Sequence, residues 1–429
     1  MIPPGHFMVL AEVLPGREQA LRGVLAQMNS GPGQADPANR LLPFGRFDTL
    51  HFARFVILDD ATQGDLHAHG VNPVSLPTYL AFLGDCDGPG ERQLDEFVRV
   101  AQGGLLEVFA HCVGAPDGAN LAAWLHARDL PVAAAYANWI GRTVRRVREE
   151  RALAEALASR ARQLAPASPQ ALRAQLVEFV AAERRQGRLQ VAADPPTPAA
   201  WWWRNLAHAI AIPLIGLVAL PFLVVLSPFL AWHLRKLERA DAEIAPAPDP
   251  GHVAELATFE DRCVTNAFTA LGSVKPGRFR GTLVVVLVAL LDYAARHVYG
   301  RGHLTRVQTI HFARWVFIDG GQRLLFASNY DGILESYMDD FINKVAWGLN
   351  LVFSNGVGYP RTRWLVQGGA RNSQAFKNYL RRHQVANSVW YKANAGLSAM
   401  DLARHGRIRE GLERAAMTDD EIEDWLRSM

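Results

Sequence analysis

At 429 residues the chain is too long for one ordinary domain and points to two or three. An apolar fraction of 49% argues against a polytopic membrane protein, and a net charge of +3, from 45 basic and 42 acidic residues, offers no concentrated basic face for nucleic acid. Three cysteines without a C-x-x-C pair argue against a disulfide framework or a structural zinc site and suit a reducing compartment.

Residues 1–7 carry neither a basic stretch nor a long apolar run, so no secretory signal is expected and the bulk of the protein is expected in the cytoplasm. Residues 7–13 read as a strand, and Pro15-Gly16 opens a helix over 17–28. The run Leu50–Leu58 is rich in aromatic and β-branched side chains and reads as a strand. A further strand over 78–83 leads to an Asp87-Gly88 turn, where glycine supplies a positive φ and Asp87 can cap the following helix. That helix, 91–101, places Leu94, Phe97, Val98 and Ala101 at spacings of three and four. Residues 106–111 read as a returning strand. The order strand, helix, strand, strand, helix, strand is the split unit of ferredoxin-like domains.

Ser168-Pro169 begins a helix running to about residue 184, with serine as cap and proline in the first turn. Pro/Ala-rich linkers at 193–200 and 245–251 bracket an apolar stretch. From Asn205 to Leu234 there is no Asp, Glu, Lys or Arg, and residues 209–232 exceed the ~20 that cross a bilayer. Trp203 and its two tryptophan neighbours stand at one end and Trp232 at the other, as interfacial belts do. Basic residues flank both ends, so charge gives no orientation. Pro213, Pro221 and Pro228 each remove a backbone donor, which favours a re-entrant hairpin bent at 216–221 over a single span. A buried core helix is the plain alternative. Thr418 caps a short acidic helix at the C-terminus.

The second half repeats the first. Ile310–Ile318 repeats Leu50–Leu58, residues 323–327 match 78–83, and 331–360 align without gaps on 87–116 with twelve of thirty positions identical. Tyr391 and Gly396 then answer to Tyr136 and Gly141. The stretch 282–295 is apolar nearly all round where its counterpart 17–28 is amphipathic; it either meets a membrane or is buried between the halves. One ferredoxin-like sheet leaves a face bare, and two bare faces can bury each other. The expected fold is therefore α+β, with two tandem ferredoxin-like halves, 1–165 and 252–415, forming an intramolecular pseudo-dimer. A helix and linker (166–200), a membrane-embedding segment (201–236) and a second linker (237–251) separate them, and the acidic helix (416–429) follows. A single crossing would put the halves on opposite sides of the bilayer, which is a second argument for the hairpin.

Candidate chemistry gathers at the repeated strings. His51 and Arg54, like His311 and Arg314, lie three apart on a strand and so are expected on opposite faces. An inward arginine needs a carboxylate, and Asp87 and Asp331 are the nearest in sequence; a structural bridge and a reactive site both satisfy that spacing. Asp87, Arg314 and Asp331 are the candidate catalytic positions. Polar residues concentrate near the strand ends of the second half, making His311, Asn329, Asn355 and Tyr391 the candidate ligand contacts. His111, Cys112 and Cys86 lack ligand spacing, so no metal is assigned and the cysteines read as small buried side chains.

A duplicated chain of this kind resembles the dimeric α/β-barrel superfamily, which includes the dye-decolorizing peroxidases and chlorite dismutases. Gly84-Asp85-Cys86-Asp87-Gly88 matches the G-x-x-D-G signature of the peroxidases, whereas Ser328-Asn329-Tyr330-Asp331-Gly332 departs at the first glycine. The resemblance implies haem as cofactor and Asp87 as the distal acid that assists peroxide cleavage. No segment resembles the axial-histidine motif; His311 or His383 would be nominated by chain position alone. The His-Phe-Ala-Arg and Asn-Tyr-Asp-Gly strings are also similar to those of an uncharacterised bacterial family with an apolar insert between halves. No nucleophile elbow, P-loop, dinucleotide fingerprint or H-E-x-x-H motif is present. The expected function is a membrane-associated binding or scaffold protein at the cytoplasmic face of the cell membrane, contacting lipid and an apolar small molecule or partner. The alternative is a haem-dependent, peroxidase-like oxidoreductase acting on a lipid-soluble substrate.

Overall fold

A computed structural model describes residues 1–164, 168–299, 304 and 307–429. The strands are β1 (Pro4–Glu12), β2 (Asn29–Gly31), β3 (Gln34–Ala35), β4 (Leu50–Leu58), β5 (Tyr79–Asp87), β6 (Ala134–Ala137), β7 (Thr265–Ser273), β8 (Ile310–Ile318), β9 (Arg323–Asp331), β10 (Thr362–Arg363), β11 (Gln367–Gly368) and β12 (Asn387–Lys392). The α-helices are α1 (Glu18–Ala26), α2 (Gly90–Phe109), α3 (Leu121–Ala127), α4 (Val144–Ala161), α5 (Pro169–Arg185), α6 (Ala199–Ala240), α7 (Pro250–Phe259), α8 (Arg278–His297), α9 (Leu334–Phe353), α10 (Ser373–His383), α11 (Ala399–Glu413) and α12 (Asp419–Arg427). The chain is thus mixed α and β, with two principal sheets and one long apolar helix.

One sheet has the order β1-β5-β4-β12-β3-β2 and the other β6-β8-β9-β7. The fourth strand of each sheet comes from the opposite half of the chain. β6 pairs antiparallel with β8, setting Tyr136 opposite Ala313, and β12 pairs antiparallel with β4, setting Tyr391 opposite Ala53. The two repeated tyrosines therefore sit at equivalent places, each on the other half's sheet. Met8, Val56, Leu58 and Leu83 of one sheet pack against Leu271, Val316 and Leu325 of the other, so the inner faces bury each other. Phe7, Phe55, Phe82, Phe97 and Leu105 form the core between the first sheet and α2. Phe268, Trp315, Phe326, Phe341 and Leu349 do the same for the second sheet and α9. A third layer draws helices from both halves, with Leu153 and Leu157 of α4 against Leu176, Ile408 and Trp425.

The returning strand expected at 106–111 is not there. Buried Leu94, Phe97, Ala101, Leu105 and Val108 continue one helical stripe through Gly103-Gly104, and α2 runs unbroken to Phe109 apart from a kink at Ala101 (φ −136°, ψ 29°). The same kink occurs at Val345 of α9 (φ −140°, ψ 19°), the position aligned with Ala101. The fourth strand is supplied later, by β6 and β12.

The hairpin expected at 216–221 is also absent, because α6 is one 42-residue helix containing Pro213, Pro221 and Pro228. A proline forfeits only one intrahelical bond, and three spaced seven or eight residues apart leave most of the ladder intact. By length and composition α6 could cross a membrane, and its apolar stretch is not buried in the protein. Its ends are held to the body. His208 Nδ1 lies 2.9 Å from His297 Nε2 at the end of α8, and His233 meets Phe279 at its start, with ring centroids 4.8 Å apart. At about 1.5 Å per residue, α6 covers roughly 37 Å between those contacts and α8 roughly 27 Å. Over the interval Leu217, Val218, Phe222, Val224 and Val225 are all more than half exposed. Glu238, buried at its C-terminal end, accepts from Thr362 Oγ1 (3.0 Å), Trp364 N (3.0 Å) and Leu365 N (2.8 Å). α8 is not enclosed between the halves: Val284 and Val288 face inward, whereas Val285, Val286 and Leu290 are about half exposed.

Candidate functional site

The repeated histidines, arginines and aspartates, with Asn329, converge where the two sheets meet. Arg54 on β4 crosses to the other sheet, donating to Phe268 O (2.9 Å), Thr269 Oγ1 (3.0 Å), Ser328 O (3.1 Å) and Asn329 Oδ1. Arg314 on β8 makes the reciprocal crossing to Phe7 O (2.8 Å), Gly84 O (2.8 Å) and Asp85 Oδ1. Asp85 and Asn329 occupy aligned positions and meet, Asn329 Nδ2 donating to Asp85 Oδ2 at 3.0 Å. His6 Nδ1 completes the group, 2.9 Å from Asp85 Oδ1. The carboxylates expected for the arginines, Asp87 and Asp331, are not their partners; Asp85 is. Among the described residues it is the one carboxylate paired with either guanidinium.

Two buried cations thus share one anion. Burial first, then the neighbouring Arg314, depresses the Arg54 pKa to about 9. Burial alone would raise the Asp85 carboxyl, but Arg314 and then His6 outweigh it and hold the group below the usual carboxylate range. The asymmetry of Asp85 against Asn329 keeps a hydrogen bond, rather than a carboxylate pair, at the centre.

Asp87 and Asp331 hold the histidines instead. His51 Nε2 lies 2.9 Å from Asp87 Oδ1 and His311 Nε2 lies 2.7 Å from Asp331 Oδ1. The second oxygens accept from the first turns of two helices further along the chain, Asp87 Oδ2 from Val144 N (2.9 Å) of α4 and Asp331 Oδ2 from Ala399 N (2.6 Å) of α11. Each aspartate therefore caps α4 or α11 and not the helix just after it. Strand pairing shifts between Leu50 and Phe52 and between Ile310 and Phe312, a bulge at each histidine. The bulge breaks strict alternation, so histidine and arginine do not take the opposite faces expected from their spacing. His51 reaches Phe312 (ring centroids 5.4 Å) and Phe52 reaches His311 (5.6 Å), both across the interface.

These four rings wall a cavity of about 340 Å³ that also takes in Trp139, Arg142 and Arg407. Neither repeated block predicted Trp139, Arg142 or Arg407. Asn329 lies at the sheet centre, and the remaining ligand candidates lie elsewhere. Tyr391 stacks on Phe44 in the first half's core (5.0 Å, 14°), and Asn355 accepts from Arg280 Nη1 (3.3 Å) near the Lys275–Asp241 pair. Trp390, beside Tyr391, does reach the centre, stacking on Phe52 (5.2 Å) with the Arg54 guanidinium 4.8 Å from its ring.

A second cavity, of about 260 Å³, lies between the second sheet, α8 and α9 and is lined almost wholly by apolar groups, among them Leu287, Leu290, Ala294, Trp315, Phe341 and Trp347. Gly348 of α9 borders it, and among the described residues only Val345 Cγ1, at 4.0 Å, would meet a Cβ there. At the aligned position in α2, a Cβ on Gly104 would run into the Leu41 carbonyl. The first half's counterpart of this space is filled by its own chain.

The residues do not fit haem. A distal acid needs a free oxygen, and both oxygens of Asp87 are engaged. His311 Nε2 is committed to Asp331, and His383 borders a space of only about 30 Å³. Among the described residues no three His, Cys, Asp or Glu side chains are grouped to hold a metal ion. Cys86 and Cys112 are buried, and burial raises both thiols, to about 12 for Cys112. Comparison with protein-family models, with curated proteins and with solved structures gives no match.

Proposed function

We propose that the protein is a monotopic membrane-surface binding protein that receives an apolar small molecule from the bilayer into the cavity between α8 and α9. In this reading the two halves are ferredoxin-like units joined as an intramolecular pseudo-dimer of the dimeric α/β-barrel kind, with the bulk on the cytoplasmic side. The observation that carries it is the arrangement of α6 and α8. The unburied apolar helix lies along α8 with both ends tied to the same body, and Leu287, Leu290, Leu291 and Ala294 of α8 wall the apolar cavity. A helix so tethered rests in the plane of the interface more readily than across it, since crossing would pull its ends to opposite sides. Exposed Val285, Val286 and Leu290 extend the same apolar surface toward Trp347 at the cavity. The size suits a ring system or a short acyl chain rather than a whole lipid.

The test is binding by the full chain. Sedimentation with liposomes should carry the wild type down and leave a chain lacking residues 205–234 in solution. An apolar fluorophore such as 1-anilinonaphthalene-8-sulfonate should brighten with the wild type and lose at least 80% of that signal in Gly348→Leu, which fills the cavity from a helix position. Wild type that stays in solution without detergent, or unchanged fluorescence in a folded Gly348→Leu variant, would sink the proposal.

A further inference from the structure

The cavity at the paired histidines has a different chemistry from the apolar one. Each histidine sets Nε2 against an aspartate oxygen, so in the neutral ring the proton sits on Nε2 and Nδ1 is the acceptor. Both histidines line the cavity, and among the described residues neither Nδ1 makes a hydrogen bond. The carboxylates behind them are saturated by the histidines and the helix N-termini, so the wall presents no free anion. Arg142 supplies the opposite charge. Its side chain is only 4% exposed, its Nε and Nη2 are buried without hydrogen-bond partners, and it lines the cavity. Glu150, its ion-pair partner with Nε 3.3 Å from Oε2, is shared with Arg146 at 2.6 Å. The guanidinium carbon lies over Trp139, 3.9 Å from the ring centroid, and the exposed Arg407 stands at the rim. Phe52 and Phe312, 5.7 Å apart, close the floor edge to face.

A buried cation short of acceptors, two imidazole acceptors short of donors and an aromatic floor together define one kind of ligand. We propose that this cavity binds a small planar aromatic carboxylate bearing a hydroxyl group. The carboxylate meets Arg142 and Arg407, the hydroxyl donates to a histidine Nδ1, and the ring packs on Phe52 and Phe312. The site is independent of the membrane reading, since none of these residues borders the apolar cavity.

Titration calorimetry of the full-length wild type with 4-hydroxybenzoate, benzoate and benzamide separates the three contributions. The expected order is 4-hydroxybenzoate tightest, at about 1 mM or better, benzoate at least tenfold weaker for loss of the hydroxyl, and benzamide weaker again for loss of charge. Arg407→Gln, at the exposed rim and so expected to fold, should weaken both acids severalfold and leave benzamide unchanged. 4-Hydroxybenzoate should also slow diethyl pyrocarbonate modification of His51 and His311, read by peptide mass. Three probes binding alike, no binding at 10 mM, or modification rates unaffected by the acid would each overturn the assignment.

Discussion

The charge centre between the sheets gives the sharpest stability prediction. In Asp85→Asn, Arg54 and Arg314 remain buried without an anion, and the new amide sets a donor against Asn329 Nδ2 or the Arg314 guanidinium. Charges about 4 Å apart at an effective dielectric near 20 attract by about 4 kcal/mol. Removing one partner of a buried pair costs about 3–5 kcal/mol, which agrees. An unfolding entropy of about 2.1 cal/mol/K per residue gives ~0.9 kcal/mol/K over the chain, so the melting temperature should fall by roughly 3–6 °C. Differential scanning calorimetry measures this directly. Because the folded Asp85 pKa lies below its unfolded value, its contribution is present above about pH 4 and lost as pH falls through the folded pKa. The variant should therefore lack that part of the acid destabilisation. Adding Arg314→Met should cost much less than the sum of the two single changes. A fall below 1 °C, or strict additivity, would refute the coupled-charge account.

The aligned glycines should respond in opposite ways. Gly104→Ala pushes a methyl into the Leu41 main chain and should destabilise by about 2 kcal/mol or more, whereas Gly348→Ala has room and should stabilise by up to about 1 kcal/mol in thermal denaturation. Lys275 is buried against Asp241 (2.8 Å), and burial lowers its pKa to about 8 from an ordinary value near 10.4. The unfolded chain then holds the proton that the folded one releases, so this group makes stability rise from about pH 8 to 10.5. Urea titrations across that range should show the rise in wild type and a flatter profile in Lys275→Met.

What the sequence made legible follows from how local each feature is. β4, β8 and the strands beside them carry their own signal in β-branched and aromatic runs, and the alignment of the halves located the aspartates and histidines at the interface. The second part of α2 was hidden because Gly103-Gly104 reads as a breaker, although Leu94, Phe97, Ala101, Leu105 and Val108 keep the helical period across it. The unbroken course of α6 was hidden by its prolines. The partner of Arg314 does not emerge from matching the repeats, because Asp85 is not repeated as a carboxylate; its aligned residue is Asn329. That substitution was itself the available signal, for a pair meeting across the interface does better with one charge than with two. The histidine bulges, the apolar cavity and the wall formed by Trp139, Arg142 and Arg407 depend on packing between segments distant in the chain and leave no local pattern.

The exchange of fourth strands has a consequence for how the molecule is made. β4 is finished early, yet the strand that covers its edge emerges more than three hundred residues later. At ribosomal rates of about 5–20 residues per second that is a wait of roughly 15–70 s. Throughout it an apolar strand edge lies open, the kind of surface that recruits a neighbouring nascent chain. α6 is completed inside that interval, before any of β7, β8 or β9 exists. Anchoring of the long helix and closure of the first sheet are therefore ordered in time by their positions along the messenger, and a chain truncated before β12 leaves that edge without its cover.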